Sequence, residues 1–169
     1  MAEKPWLAHI SPDGREQTVE AHLRGTARFS GMFAAKFGEE KRGQLLGYAH
    51  DIGKNSGAFQ KRLHGGPRVD HATAGALECA KIRENLSACC VIGHHSGLPD
   101  FGNFRNDGPG TPTCIGRMRK GLRGEIPSYQ VELSLPVPEP APKFPDLFTC
   151  SLWTRRLYSC LVDADFLDT

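Results

Sequence analysis

The chain has 169 residues and a formal net charge of +2, as expected of one globular domain that can bury a core. So small a charge gives no evidence for a nucleic-acid or membrane surface. No apolar run approaches the length of a membrane span, and residues 1–6 lack the apolar region of a signal peptide. We therefore expect a single domain over residues 1–169, located in the cytoplasm.

Hydrophobic periodicity predicts an all-α fold. The predicted helices cover residues 16–37, 40–52, 56–63, 71–83, 86–94 and 146–167. The helix at 86–94 is apolar nearly all round, so we expect it at the centre of the domain. Residues 98–113 and the proline-rich segment 127–145 are predicted as loops. Only the alternation of Val131, Leu133 and Leu135 permits one short edge strand.

Six cysteines are present, and no two of them have the Cys-x-x-Cys spacing of a zinc or redox motif. Most lie within apolar helical patterns, which favours reduced thiols packed in the core. They are Cys79, Cys89, Cys90, Cys114, Cys150 and Cys160. A disulfide framework or a cysteine-ligated zinc is therefore not expected.

The adjacent pair His50 and Asp51 lies at the end of the second predicted helix, just before Gly53. The imidazole offers one nitrogen ligand, and the carboxylate can share its two oxygens between two metal ions. A His-Asp pair also occurs often by chance. A metal site is therefore predicted only if further ligands fall at suitable positions elsewhere.

Four other histidines and one carboxylate do fall at such positions. His22 lies on the inward edge of the first helix, His71 follows the N-cap candidate Asp70, and His94 and His95 end the apolar helix. In the last helix, Asp165 follows Leu161 by four residues and Tyr158 by seven, so it shares their inward face. Asp163 points away from that face. We prefer Asp165 as the ligand and keep Asp163 as the alternative.

These five imidazoles and two carboxylates exceed the three or four ligands of a mononuclear site. They predict two divalent ions that share Asp51. Imidazole-rich ligation favours Mn, Fe, Co or Ni, with Mg possible. Two such metals can activate a hydroxide that attacks a phosphodiester. Lys54, three residues after Asp51, would contact a phosphate oxygen, and its alternative role is a solvated surface lysine.

Each of these residues also has an ordinary structural interpretation. His22 could be a hydrogen-bonded core residue, and His94 and His95 could interact with the dipole at the carboxyl end of a helix. Their joint placement around one His-Asp pair favours the metal centre instead. His9 and His64 have no such placement and are predicted to be surface residues. The basic residues Arg117, Arg119, Lys120 and Arg123 form either a solvated face or a contact for nucleic-acid phosphates.

The order of these motifs resembles the HD nuclease domain of the CRISPR-associated helicase-nuclease. The segment 48–60, Tyr-Ala-His-Asp-Ile-Gly-Lys-Asn-Ser-Gly-Ala-Phe-Gln, is especially similar, and the resemblance runs from His22 to the end of the chain. It implies a mostly helical fold with two metal ions. One metal would be held by His22, His50, Asp51 and Asp165, and the other by Asp51, His71, His94 and His95. Lys54 would assist catalysis.

The resemblance also implies a substrate and partners. Family members cut single-stranded DNA that an RNA-guided effector complex displaces and a helicase delivers, in defence against phage and plasmid DNA. In many relatives the helicase follows on the same polypeptide, whereas this sequence stops at Thr169. We therefore expect either an excised domain or a separate helicase subunit. Residues beyond Thr169 that brace the last helix in relatives would then be missing, with a lower metal affinity.

Two other functions agree with the same residues. The first is an HD phosphohydrolase that acts on nucleotides or cyclic nucleotides. The second is a non-catalytic helical binding module that keeps its metals for structure. Cleavage of a long DNA strand, turnover of small nucleotides, or slowly exchanging metal without any activity would distinguish the three.

Overall fold

The computed structural model describes residues 5–122 and 134–169 of the chain, and these are mostly helical. The elements in chain order are β1 (Leu7–Ile10), β2 (Glu16–Thr18), α1 (Val19–Ala35), α2 (Glu40–Ala49), α3 (Gly57–Leu63), α4 (Ala72–Lys81), α5 (Asn85–Gly93), α6 (Cys114–Lys120) and α7 (Leu147–Asp168). The predicted all-α class is confirmed, with the addition of two short strands. In the described ranges, every helix is too short or too polar to cross a membrane.

An antiparallel hairpin precedes the first helix, and the sequence analysis missed it. Strands β1 and β2 pair with Leu7 opposite Thr18, and the turn between them contains Gly14 with a φ of +83°. The sequence Pro12-Asp13-Gly14 is a turn signal that favours such a hairpin. The predicted helix start at residue 16 is therefore wrong. The hydroxyl of Thr18 accepts a hydrogen bond from the Ala21 amide, so the helix begins after it.

The second helix is also shorter than predicted, and this has a consequence for the site. Helix α2 ends at Ala49, and a 3₁₀ turn, Ile52–Lys54, follows. A methyl group at Gly53 would overlap the backbone of His71, so only glycine allows the turn to lie this close to the start of α4. Asp51 therefore lies outside the regular helix, between α2 and α4.

Close contacts between helix backbones hold the site-bearing elements together. A Cβ atom at Gly47 would overlap the Ala27 backbone, which places α2 directly against α1. A Cβ atom at Gly75 would overlap the carbonyl oxygen of Ala49, which places α4 against the end of α2. Small residues at these crossings let helices α1, α2 and α4 bring their polar side chains to one point.

The apolar core lies between α2, α4, α5 and α7. Leu45, Val91, Leu157 and Leu161 are completely buried there, and the prediction of a central α5 is confirmed. All six cysteines are free thiols, and only Cys150 among them is not buried. The core therefore fixes α5 and α7 relative to α2, which carries the His-Asp pair at its end.

The remaining predictions concern the carboxyl-terminal half. The short helix α6 was not predicted, because its few apolar residues are interrupted by Arg117, Arg119 and Lys120. The other member of that basic cluster, Arg123, lies outside the described residues, as do Val131 and Leu133 of the possible edge strand. Leu135 is described, and it has no strand conformation.

Candidate metal centre

The structure brings all seven predicted ligand residues to one place. His22 comes from α1, His50 and Asp51 follow α2, His71 precedes α4, His94 and His95 follow α5, and Asp165 comes from α7. They form two clusters that share Asp51, and within each cluster the candidate ligand atoms lie within 4.8 Å of one another. The first cluster is His22, His50, Asp51 and Asp165, and the second is Asp51, His71, His94 and His95.

The first cluster is a buried arrangement of two imidazoles and two carboxylates. The Nε2 atoms of His22 and His50 lie 3.2 Å apart. Each lies 3.3 to 3.4 Å from Oδ2 of Asp51. Oδ1 of Asp165 lies 3.3 Å from the His22 nitrogen and 3.5 Å from that of His50. Four ligand atoms therefore surround one point, as a divalent ion requires.

The second cluster uses the other oxygen of Asp51. Its Oδ1 atom lies 3.3 Å from Nε2 of both His71 and His94. The Nε2 atoms of His71 and His95 lie 3.0 Å apart. Because Asp51 directs one oxygen to each cluster, a single carboxylate can bridge two metal ions.

In three of the histidines, a hydrogen bond made by Nδ1 determines that Nε2 is the nitrogen available to a metal. The Nδ1 atoms of His50 and His94 each lie 2.7 Å from a backbone carbonyl oxygen, of Gly47 and Val91 respectively. His71 makes the same kind of contact, at 3.1 Å. Since a carbonyl only accepts, Nδ1 carries the proton and donates it. Nε2 is then the nitrogen of each ring that can bind a metal when it carries no proton.

Buried polar atoms without hydrogen bonds provide an independent test of the fit. Among the described residues, neither oxygen of Asp51 nor Nε2 of His94 makes a hydrogen bond of normal geometry, although the Lys54 ammonium forms an ion pair with Oδ2 of Asp51 at 2.7 Å. Both side chains are completely buried, and leaving such atoms unpaired is costly. A cation in the first cluster would bind Oδ2 of Asp51, and a cation in the second would bind Oδ1 of Asp51 and Nε2 of His94, so these residues fit two divalent ions.

The two clusters differ in protonation. Burial lowers the pKa of His50, but the Asp51 charge and contacts with Asp165 outweigh it and raise the pKa to about 10. Burial also lowers the pKa of His22, but its contacts with the carboxylates of Asp165 and Asp51 outweigh burial and raise the pKa. In the second cluster, burial and the charge of neighbouring His94 lower the pKa of His95 to about 4. At neutral pH His50 of the first cluster thus carries a second ring proton, whereas His95 of the second cluster does not.

We expect metal uptake by the first cluster to release more protons than uptake by the second, because His50 carries a second proton at neutral pH and His95 does not. A histidine must be neutral to bind a metal, so affinity at the first cluster should rise by about tenfold per pH unit for each proton released. Titration calorimetry in buffers of different ionisation enthalpy would measure this. The H95A variant removes a ligand from the second cluster, and the D165A variant removes a ligand from the first. Equal proton release by both variants would contradict the expectation.

Lys54 and His9 lie beside the first cluster. Lys54 is only 3% exposed, so the alternative of a solvated surface lysine is excluded. Its Nζ atom lies 2.7 Å from Oδ2 of Asp51 and donates to Nε2 of His9 at 3.0 Å. The prediction of a surface position for His9 is wrong, because the residue is half-buried and its ring packs edge-on against His22. His64 is exposed, as predicted.

The structure also shows an acidic residue that the sequence analysis missed. Oδ2 of Asp168 lies 2.8 Å from Nδ1 of His22 and accepts from Nε2 of Gln17 at 2.9 Å. Asp168 therefore orients the His22 ring, as the backbone carbonyls orient the other rings. The available signal was its position three residues after Asp165, on the same helix face. Asp163 is exposed and lies outside both clusters.

Two other predicted features have structural roles. Asp70 caps α4, because its carboxylate accepts hydrogen bonds from the Thr73 amide at 3.1 Å and the Thr73 hydroxyl at 2.6 Å. Phe59 covers one side of the site, with its ring 5.3 Å from that of His71. These contacts fix the positions of His71 and of the wall beside it.

Comparison with protein families agrees with this geometry. Residues 19–123 match the HD domain, which is well over half of the chain. The chain belongs to the HD domain family. The match includes six of the seven ligand candidates of this HD domain, and only Asp165 lies beyond it. No curated protein shows a significant match to the chain.

Family membership establishes the general chemistry. HD domains bind divalent metals, and this HD domain has two His/Asp clusters that can hold them. Together these findings support a metal-dependent hydrolase of the HD phosphohydrolase superfamily. The part of the prediction that concerns the HD superfamily is thus confirmed.

Proposed function

We propose that this HD domain is a metal-dependent nuclease that cuts single-stranded DNA as part of CRISPR defence. The observation that supports it best is the pair of clusters joined through Asp51. Two metals held in this way would supply an activated water and stabilise charge on a phosphodiester in the transition state. The single-stranded substrate and the helicase and effector partners come from the sequence resemblance described above.

The residues of the chain have separate tasks in this reaction. The clusters hold and orient the metals, and Asp168 and three backbone carbonyls keep the imidazoles aligned. Lys54 has its ammonium group beside Asp51 and lines the adjoining cavity, where a scissile phosphate would enter. There it offsets negative charge that grows on the phosphate oxygens. Hydrolysis places the oxygen of water on phosphorus and releases a sugar hydroxyl.

A substrate panel tests the proposal. We expect purified protein loaded separately with Mn, Fe, Co, Ni or Mg to shorten a labelled single-stranded DNA, with little turnover of nucleotides or cyclic nucleotides. Elemental analysis of each sample would show how much metal is bound. Rapid turnover of small nucleotides without cleavage of DNA would instead favour the phosphohydrolase alternative. Bound metal with no activity on any phosphodiester would favour a structural role.

Replacing Lys54 with methionine should reduce kcat/KM for DNA cleavage by about 100-fold, the usual effect of losing one charge-stabilising donor. Methionine keeps a flexible side chain in this buried position, so packing is largely retained. Metal content should stay close to that of the wild type, since Lys54 belongs to neither cluster. Unchanged cleavage by the K54M protein would exclude a catalytic role for the ammonium.

A further inference from the structure

Two adjoining cavities lie beside the second cluster. The inner cavity has a volume of about 480 Å³, and its walls include Lys54, His71 and His95. The outer cavity has a volume of about 390 Å³ and reaches the end of α6. Arg68 and Val69 line both cavities, so the two form one groove that starts at the metal centre.

The side chains along this groove are predominantly cationic. Arg62 and Arg68 line the inner cavity, and in the described part of the chain neither side chain has a hydrogen bond or ion pair. Arg117 and Lys120 line the outer cavity. A net charge of only +2 for the whole chain does not account for four such cations in one groove.

Among the described residues that line the groove there is one carboxylate, and it is already engaged. Asp70 lines the outer cavity, where it accepts two hydrogen bonds from Thr73 and lies 3.4 Å from a nitrogen of Arg117. It therefore offsets part of one cation, and within residues 5–122 and 134–169 Arg62, Arg68 and Lys120 have no ion pair. A guanidinium group can bind two phosphate oxygens at once, so arginines without an ion pair suit the phosphodiester backbone of a nucleic acid.

Apolar side chains line the same groove as the cations. Phe59 and Leu63 line the inner cavity, Leu122 lines the outer one, and Val69 lines both. Such surfaces pack against nucleobases and sugars without reading their sequence. Cations and apolar groups along one groove match an unpaired strand, whose backbone and bases are both exposed.

We propose that this groove binds the single-stranded substrate next to the cut site, an inference that rests on the proposed function. The phosphate nearest the metal centre meets Lys54, the next ones meet Arg62 and Arg68, and those further along meet Arg117 and Lys120. Arg68 is central because it serves both cavities. The basic face of α6 is then a phosphate contact and not only a solvated surface.

Binding measured without divalent metal tests the groove separately from cleavage. The probe is a fluorescein-labelled oligothymidylate, followed by anisotropy at several salt concentrations in the presence of a chelator. For single strands, the slope of log affinity against log salt falls by about 0.7 for each phosphate that the protein no longer neutralises. R62A and R68A should each reduce the slope by about that amount, and the double variant by about twice as much.

Arg155 provides the matched control. It is exposed on α7 and lines neither cavity, and in the described part of the chain its one side-chain hydrogen bond is donated to Ser151 of the same helix. R155A should keep the wild-type slope, and circular dichroism should show the same fold for the wild type and every variant. Equal slopes for the wild type and the groove variants would overturn the proposal that the groove binds DNA. Cleavage of DNA by the wild type would in that case still support the proposed nuclease function. A wild type that neither binds nor cuts DNA would overturn both.

Discussion

Replacing Asp51 with alanine should abolish cleavage of single-stranded DNA and remove both metals. Asp51 directs Oδ2 to the first cluster and Oδ1 to the second, so one substitution takes a ligand from each. Metal catalysis contributes several kcal/mol, so the expected loss of activity is at least about 1,000-fold. Cleavage assays in manganese and elemental analysis of the same samples would measure the two effects.

The asparagine variant separates loss of the ligand from loss of the fold. Asp51 is completely buried beside Lys54, so D51A leaves an ammonium without its counter-charge and can destabilise the domain. D51N keeps the shape of the side chain and one oxygen but removes the negative charge that bridges two cations. It should retain the wild-type circular dichroism spectrum and still lose activity. A folded D51N or D51A protein that degrades DNA in manganese would disprove the mechanism.

Replacing Arg42 with alanine should cost about 3–5 kcal/mol of unfolding free energy, the effect expected when one partner of a buried ion pair is removed. Arg42 is 1% exposed and holds Glu84 through two contacts, at 2.9 and 3.2 Å. It also contacts Glu39 and donates to the carbonyl of Glu139 at 2.6 Å. Urea denaturation followed by circular dichroism would measure the change.

The ion pair of Arg42 also connects two elements whose ends supply metal ligands. Arg42 lies in α2, whose end carries His50 and Asp51, and Glu84 directly precedes α5, whose end carries His94. Loss of the pair therefore weakens the joint between two elements that supply ligands. R155A, an exposed substitution in α7, should change the free energy of unfolding by less than about 0.5 kcal/mol. A cost for R42A as small as that would contradict the argument.

The periodicity of apolar residues along the sequence was sufficient to predict the helices that carry the site. The helices that carry the site were predicted because apolar residues recur at helical spacing, which depends only on neighbours in sequence. The same spacing distinguished Asp165, which the structure places in the first cluster, from the exposed Asp163. The hairpin was missed although Pro12-Asp13-Gly14 carries its signal, because the helical pattern after Thr18 extended the prediction too far.

The sequence by itself determined the helical class, the identity of the ligand candidates and the presence of a His-Asp pair at a helix end. Only the tertiary structure decided that Asp51 divides its oxygens between two clusters, that His9 and Lys54 are drawn into the site, and that Asp168 holds His22. It also aligned Arg62 and Arg68 with the end of α6. The reason is physical: periodicity fixes the face of a helix, but packing of distant helices fixes which side chains meet.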